Sequence, residues 1–218
     1  MSVWLTADPH FDHDQIRVYE PGRLILGATI EEHDANLIKR INERVKPGDT
    51  LYILGDFCLG HPAYAKKCLQ ALNGTKILVR GNHDRNSYGQ MLNWGFASVC
   101  ESIELKVCKQ KILLHHYPYR WPFWKRLWCQ MHRGMKNDFH KRPVNRGQWL
   151  VHGHTHSVTH HPGDDAPHIH DKQINVGVDC WGYYPVPLSE IERIIQTYDN
   201  KEAKLSTWQK MKNKLKFF

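Results

Sequence analysis

The chain has 218 residues, of which 41% are hydrophobic and 24% charged, a composition typical of one globular domain with a substantial core. No window approaches 18 consecutive apolar residues and the N-terminus lacks the pattern of a secretory signal, so we expect neither a membrane span nor export. The net charge of +8 is concentrated at residues 201–218, which contain six lysines and one glutamate, and the rest of the chain is mildly basic.

Short β-branched runs alternate with amphipathic stretches from the N-terminus onward, which is typical of an α/β fold. Val3 to Thr6 predicts the first strand. Thr29 and Glu32 then have the spacing of a helical capping box, and apolar residues follow helical spacing as far as Val45. Pro47-Gly48 ends this helix.

The alternation continues through the rest of the chain. The further predicted elements are a strand at Leu51 to Leu54, a helix at Pro62 to Leu72, a strand at Ile77 to Val79, an antiparallel hairpin over 97–114 that turns at Lys109-Gln110, and strands at Trp149 to Val151 and Ile174 to Val178. No internal repeat or low-complexity linker interrupts them, so we expect a single domain over residues 1–218.

Histidine is unusually frequent, with 16 in the chain, and several histidines follow predicted strands together with Asp or Asn. Ligands of open α/β sheets gather beyond the carboxyl ends of strands, so we expect one site to collect these side chains. Nitrogen and oxygen donors without thiolates suit Mn, Fe, Zn, Co or Ni, and seven donors exceed the need of one ion. The donors are Asp8, His10, Asp56, Asn82, one of His115 or His116, His154 and His156.

The same residues form five ordered motifs. They are Asp8-x-His10, Gly55-Asp56, Gly81-Asn82-His83-Asp84, His116-x-Pro118 and Gly153-His154-x-His156. This series, which spans residues 3–157, resembles that of the calcineurin-like metallophosphoesterases. Phe11-Asp12-His13 and Asn175 to Asp179 are similar to a compact bacterial and phage branch of that family. The resemblance implies an α/β fold in which a two-sheet mixed β-sandwich is flanked by helices.

The resemblance also implies how two divalent ions would be held. The first ion is expected on Asp8, His10, Asp56 and His156, and the second on Asp56, Asn82, His116 and His154. Asp56 would bridge the pair, holding the cations roughly 3.5–4 Å apart, where they clamp phosphate oxygens and activate a hydroxide nucleophile. We expect Mn, with Fe, Ni, Co or Zn as alternatives.

His83 occupies the position that the family uses as a general acid or phosphate-binding donor, and Asp84 is expected to orient it. His115 and His116 alternate between opposite faces of their strand, and the His-x-Pro pattern selects His116 as the ligand. His115 is then expected to have a structural or supporting role.

Three further residues are candidates for substrate contacts. Arg120 and His13 are predicted to bind substrate, since a guanidinium suits bidentate phosphate binding and His13 lies within the first motif region. A surface loop is the alternative interpretation for His13, and ordinary surface pairing is the alternative for Arg120. Arg80 also follows a strand, and ordinary surface pairing is the favoured interpretation there.

Two basic regions lie outside the motifs. An aromatic and basic insert at about 119–148 contains Trp121, Trp124 and Trp128 at helical spacing, which favours core packing and leaves open a lid that stacks bases. A basic helix at about 204–218 is expected to cover a sheet edge, with contact to nucleic acid, a membrane surface or a partner as the alternative.

These observations predict a cytoplasmic, dinuclear metal-dependent phosphoesterase that acts on a phosphodiester, with a nucleotide or nucleic-acid-like substrate favoured. A phosphomonoesterase or protein phosphatase of the same family is one alternative, and a non-catalytic metal-binding scaffold is another. The six cysteines form no CxxC pair, so reduced thiols are expected. No pattern in the sequence predicts the oligomeric state.

Overall fold

A computed structural model describes residues 1–120, 138–156 and 172–215, of which 138–139 and 202–215 are described by their backbone only. The strands in chain order are β1 (Val3–Thr6), β2 (Thr50–Ile53), β3 (Thr75–Val79), β4 (Ser98–Cys100), β5 (Ser102–Val107), β6 (Gln110–His115), β7 (Trp149–His152), β8 (Gln173–Asn175) and β9 (Val186–Pro187). The helices are α1 (Ile16–Tyr19), α2 (Ile30–Arg44), α3 (Pro62–Ala71), α4 (Tyr88–Trp94) and α5 (Leu188–Leu215).

The strands form two mixed sheets. The first has the order β4-β3-β2-β1-β9, in which the four N-terminal strands are parallel and β9 runs antiparallel to β1. The second has the order β5-β6-β7-β8, in which β5 and β6 form an antiparallel hairpin and the other pairs are parallel. An isolated parallel bridge between Ala7 and Gly177 links the chain after β1 to the chain after β8.

Two apolar clusters hold these layers together. One packs α2, α3 and α4 against the first sheet and includes Leu37, Ile53 and Leu78. The other lies between the two sheets, where Leu5 of β1 and Trp149 of β7 are fully buried together with residues of α5. Each sheet is therefore covered on its apolar side, and the predicted two-sheet α/β fold is confirmed.

The predicted capping box at the start of α2 is present. The Thr29 hydroxyl accepts the backbone N–H of Glu32 at 3.2 Å, and the Glu32 carboxylate accepts the backbone N–H of Thr29 at 3.4 Å. Leu37 and Ile41 are buried on the face that meets the first sheet, as their helical spacing predicts. This helix packs against the first sheet, and candidate ligands follow the ends of that sheet's strands.

The predicted hairpin over 97–114 is wrong in its first part. Residues Ser98–Cys100 pair with β3 in the first sheet, and only β5 and β6 form the hairpin. Its two turn residues, Cys108 and Lys109, have φ values of 49° and 64°, as a tight two-residue hairpin turn requires. The final predicted strand is also shorter than expected and ends at Asn175, because the chain then turns toward Ala7.

The two basic regions fall largely outside the described residues. Trp121, Trp124 and Trp128 lie in the gap at 121–137, so their predicted role is untested. The C-terminal helix begins at Leu188, well before the predicted start, and side chains beyond residue 201 are not described. Within the described residues, no helix has both the length and the apolarity that crossing a bilayer requires.

Candidate metal centre

The candidate ligands meet where five strands end. Asp8 and His10 follow β1, Asp56 follows β2, Asn82 and His83 follow β3, His116 follows β6, and His154 and His156 follow β7. Because parallel strands deliver their carboxyl ends to one edge of a sheet, residues far apart in sequence become neighbours there. The structure thus brings all seven predicted ligands to one edge of the two sheets.

Three of these side chains form a first cluster. Asp8, His10 and His156 each offer one ligand atom, and the three atoms lie within 4.8 Å of one another. The Nε2 atoms of His10 and His156 are 3.2 Å apart. Asp8 and His10 are buried, and His156 is partly exposed.

A second cluster lies beside the first. Asp56, His116 and His154 have ligand atoms within 4.8 Å of one another. His116 Nε2 is 3.1 Å from His154 Nδ1 and 2.9 Å from the Oδ1 atom of Asn82. The structure therefore brings His116, and not its neighbour His115, into the cluster, and it adds Asn82 to the same group.

The Asp56 carboxylate lies between the two clusters. Its Oδ2 atom is 3.7 Å from His10 Nε2 in the first cluster and 3.5 Å from His116 Nε2 in the second. Its Oδ1 atom accepts the backbone N–H of His83 at 2.8 Å, which fixes the orientation of the carboxylate. One carboxylate oxygen thus faces both groups of imidazoles.

Most of the candidate ligands have an unusual backbone. Asp8, His10, Asp56, His154 and His156 have φ values of 59°, 53°, 54°, 71° and 47°, in the left-handed region that side chains other than Gly rarely adopt. Such conformations cost on the order of 1–3 kcal/mol each and persist where function requires a particular side-chain direction. Their concentration in this cluster indicates that the chain is folded to aim these side chains inward.

Two glycines allow the strand ends to approach closely. A Cβ atom on Gly81 would overlap the Asp56 carboxylate, and a Cβ atom on Gly55 would overlap the His116 ring. Gly55 also has a φ of 90°, which a residue with a side chain would adopt only under strain. The glycines of the Gly55-Asp56 and Gly81-Asn82 motifs therefore make room for the ligands themselves.

The donor set fits divalent cations. The Oδ1 atom of Asp8 is buried without a hydrogen-bond partner among the described residues, while its Oδ2 accepts the backbone N–H of His154 at 2.7 Å. Burial raises the pKa values of Asp8 and Asp56, because both negative charges lie away from water. A cation at this position would satisfy the free oxygen and offset the buried charge.

Both imidazoles of the second cluster are in the neutral form that binds metals. Burial lowers the pKa of His116 to about 3 and that of His154 to about 2, so both rings are neutral at pH 7. The Nδ1 atom of His116 donates to the Leu54 carbonyl at 2.8 Å, which leaves the lone pair on Nε2 facing the cluster. The tautomer of this ring is thus set by the chain.

A buried ion pair that the sequence analysis missed supports the first cluster. Arg23 is fully buried and donates to both oxygens of Asp179, at 2.7 and 2.8 Å. It also donates to the Asp8 carbonyl, and Asp179 in turn accepts from His156 Nδ1 at 2.9 Å. Burial would raise the pKa of Asp179, but the hydrogen bonds from His156 and Arg23 hold it at about 2. An ionised carboxylate therefore orients His156 so that Nε2 faces Asp8 and His10.

Replacing Asp179 with asparagine is expected to weaken metal binding at the first cluster by roughly 10–100-fold and to spare the second. The amide cannot hold His156 and Arg23 with the same charge, whereas His116 and His154 do not contact Asp179. Metal content measured after dialysis against limiting Mn²⁺ tests this, with the exposed Asp14→Asn as control. Equal loss of both ions, or loss of neither, would contradict the asymmetry.

The expected pairing of Asp84 with His83 is wrong. The Asp84 carboxylate is buried and accepts three backbone N–H groups, from Asp56, Phe57 and Gly81, at 2.8–3.0 Å. Asp84 therefore holds the loops after β2 and β3 together instead of orienting an imidazole. The His83 side chain is 36% exposed, and its Nε2 atom lies 4.0 Å from Asp56 Oδ2.

The predicted substrate contacts fall in different places. The His13 ring lies 5.5 Å from that of His10, at the edge of the first cluster, so its predicted role stays open. Arg120 donates to the carbonyls of His140 and Arg142, at 3.1 and 2.6 Å, and so ties two chain segments together. Its predicted contact with substrate is not supported by this placement. Arg80 forms an ion pair with the surface residue Glu101, and surface pairing was the favoured interpretation of Arg80.

Comparisons with known proteins agree with this geometry. Residues 1–177 match the family model for the calcineurin-like phosphoesterase superfamily domain. The gene 66 protein of Mycobacterium phage L5 is 30% identical over 199 residues, which cover 83% of this chain and 88% of the phage protein. An uncharacterized protein of Methanocaldococcus jannaschii is 29% identical over 198 residues, which cover 89% of this chain and 91% of that protein.

A solved structure is also similar over most of its length. The crystal structure of a protein of unknown function from Aquifex aeolicus has a TM-score of 0.62 and 26% sequence identity, covering 88% of this chain and 98% of that one. The family match over residues 1–177 includes all five motifs at the strand ends, and the similar fold of this structure is consistent with that match. The chain belongs to the calcineurin-like phosphoesterase superfamily.

Proposed function

We propose that this protein is a dinuclear metal-dependent phosphodiesterase. The observation that carries the proposal is the Asp56 carboxylate, whose Oδ2 atom lies within 3.7 Å of an imidazole nitrogen in each cluster. A buried carboxylate shared by two groups of imidazoles suits two cations better than one. Membership in a family of phosphoesterases supports the same reaction class.

The proposed ligands divide between the clusters as follows. The first ion takes Asp8, His10, Asp56 and His156, and the second takes Asp56, Asn82, His116 and His154. Two divalent ions bound there would lower the pKa of a water molecule and polarise the phosphoryl oxygens. The mixed oxygen and nitrogen donors suit Mn, which we propose as the metal, with Fe, Ni, Co or Zn as alternatives.

His83 is the proposed proton donor. It belongs to neither cluster, and its partly exposed Nε2 atom lies beside the shared carboxylate. A protonated imidazole in this position donates to the leaving oxygen as the bond to phosphorus breaks. Asp84 contributes indirectly, because its carboxylate fixes the backbone of the loops that carry Asp56 and His83.

The space around the centre favours a diester over a small monoester. An open cleft of about 890 Å³ adjoins Asn82 and His83, enough for a substrate with bulk on the leaving-group side. We therefore propose a nucleotide or nucleic-acid-like phosphodiester as substrate. A cytoplasmic location is also proposed, since Cys58, Cys68, Cys100, Cys108 and Cys180 are free thiols.

Removal and replacement of metal tests the proposal. Protein treated with a chelator is expected to be inactive, and Mn²⁺, Ni²⁺ or Co²⁺ is expected to restore hydrolysis of bis(p-nitrophenyl) phosphate better than Mg²⁺, because imidazole ligands disfavour Mg²⁺. p-Nitrophenyl phosphate, assayed in parallel, separates a diesterase from a monoesterase. Activity that survives exhaustive chelation would overturn the metal centre, and inactivity with every metal would favour a scaffold.

A further inference from the structure

The cleft beside His83 has a positively charged wall that the metal ligands do not use. Arg85, His115 and Lys141 line it, and Asn82 and His83 form the end that meets the metal centre. Arg85 and Lys141 are exposed. Within the described parts of the chain, neither of them forms an ion pair.

The acidic residues of the cleft do not cancel this charge. Glu101 accepts from Arg80 at 3.1 Å and from the Tyr88 hydroxyl, so its charge is already paired. Asp84 is buried and its carboxylate accepts backbone N–H groups only. Among the residues that the structure describes, no carboxylate therefore balances the positive charge of Arg85 and Lys141 on this wall.

His115 adds a hydrogen-bond donor to the same wall. The backbone N–H of Tyr117 donates to His115 Nδ1 at 3.0 Å, so the ring carries its proton on Nε2. The wall thus combines two cations with at least one neutral donor, a set that binds oxygen atoms of an anion. A scissile phosphodiester carries a single negative charge, which the metal centre would bind. That charge does not account for the additional cations on the wall.

We propose that this wall binds a second phosphate group carried by the leaving group of the substrate. The inference rests on the proposed function and deepens it. His83 stands between the shared Asp56 carboxylate and the wall, so the part of the substrate that extends past His83 is the part that leaves. The preferred substrate is then a phosphodiester whose leaving alcohol bears its own phosphate.

The reaction balances as a hydrolysis. A water oxygen bonds to the scissile phosphorus, the bond from phosphorus to the leaving oxygen breaks, and His83 protonates that oxygen. The proton lost by the water passes to solvent or back to His83. The products are a phosphomonoester and an alcohol that still carries the second phosphate, which Arg85 and Lys141 have held throughout.

Dinucleotides with and without a terminal phosphate test the proposal. We compare the Mn²⁺-loaded protein on TpT, pTpT and TpTp, which place the additional phosphate on either side of the same diester. The form whose additional phosphate lies on the nucleoside released as the alcohol, as the products identify it, is expected to exceed TpT in kcat/KM by about tenfold per cationic contact, mainly through KM. Arg85→Gln and Lys141→Gln should each reduce this advantage about tenfold, whereas Lys66→Gln, an exposed lysine outside the cleft, should preserve it.

Binding measured without turnover separates this inference from the proposed function. Calorimetric titration with thymidine 3′,5′-bisphosphate and thymidine 5′-monophosphate should show tighter binding of the bisphosphate, lost in both variants and weakened by salt. If this holds while no diester is hydrolysed, the cleft is supported and the phosphodiesterase assignment fails. If TpT is hydrolysed and neither additional phosphate improves KM or binding, or if both variants keep the advantage, the second phosphate site is overturned.

Discussion

The Asp56→Asn variant is expected to lose both metal ions together and to lower kcat by on the order of 10³-fold or more. The Oδ2 atom of Asp56 lies within 3.7 Å of an imidazole Nε2 atom in each cluster. Asparagine keeps the shape of the side chain but removes the negative charge that holds two cations close together. The fold should survive, because the amide oxygen can still accept the His83 N–H.

Metal analysis of purified protein checks this result. The exposed Asp14→Asn should retain two ions per chain, and Asp179→Asn should lose mainly one. The metal content is therefore expected to fall in the order Asp14→Asn, Asp179→Asn, Asp56→Asn. A thermal melt confirms that each variant is folded. If Asp56→Asn keeps one ion at full occupancy, Asp56 belongs to a single cluster and its proposed bridging role is wrong.

The His83→Ala variant is expected to keep about two metal ions while kcat falls by roughly 10²-fold or more. His83 lies in neither cluster, so its loss removes proton donation without removing a ligand. The loss should be larger for TpT than for bis(p-nitrophenyl) phosphate, because an alkoxide needs a proton to leave and p-nitrophenolate does not. This difference separates proton donation from simple phosphate binding.

Two outcomes would contradict the assignment of His83. Loss of metal comparable to that of Asp56→Asn would make His83 a ligand. An equal loss of kcat on both substrates would make it a binding group whose role does not depend on the leaving oxygen. Metal content and paired kinetics on the same preparation decide between these.

The clustering of the candidate ligands followed from sequence because parallel strands impose it. Once β1, β2 and β3 are assigned, their carboxyl ends must meet, and residues such as Asp8 and Asp56 become neighbours whatever the loops do. Helix α2 was equally clear, since Thr29 and Glu32 cap it by purely local hydrogen bonds. Local chemistry and strand direction were sufficient for both.

The partners of these residues were less predictable, because they depend on contacts far along the chain. Arg23 reads as a surface residue, since arginine is almost never buried without a partner, and its partner Asp179 lies in a distant turn. Asp84 was expected to orient His83, yet, although the two residues are adjacent, the backbone turns the Asp84 carboxylate toward the N–H groups of Asp56 and Phe57. Adjacency in sequence was a poor guide to side-chain direction.

Short elements were missed for a different reason. Helix α4 has seven residues and α1 four, too few for apolar periodicity, although Ser87 and Gln90 form a capping box that marks the start of α4. Strand β9 has only two residues and is defined by its pairing with β1. Elements of this size take their structure from their neighbours.

The position of β1 in the first sheet sets the order in which the molecule can be completed on the ribosome. Its partner β2 follows soon in the chain, whereas His156 in its metal cluster and β9 on its other edge are made much later. At about 5–20 residues per second, Asp8 and His10 wait several seconds or more for these partners. During that interval one edge of β1 lacks its partner strand, so other strands can pair with it until Val186 emerges.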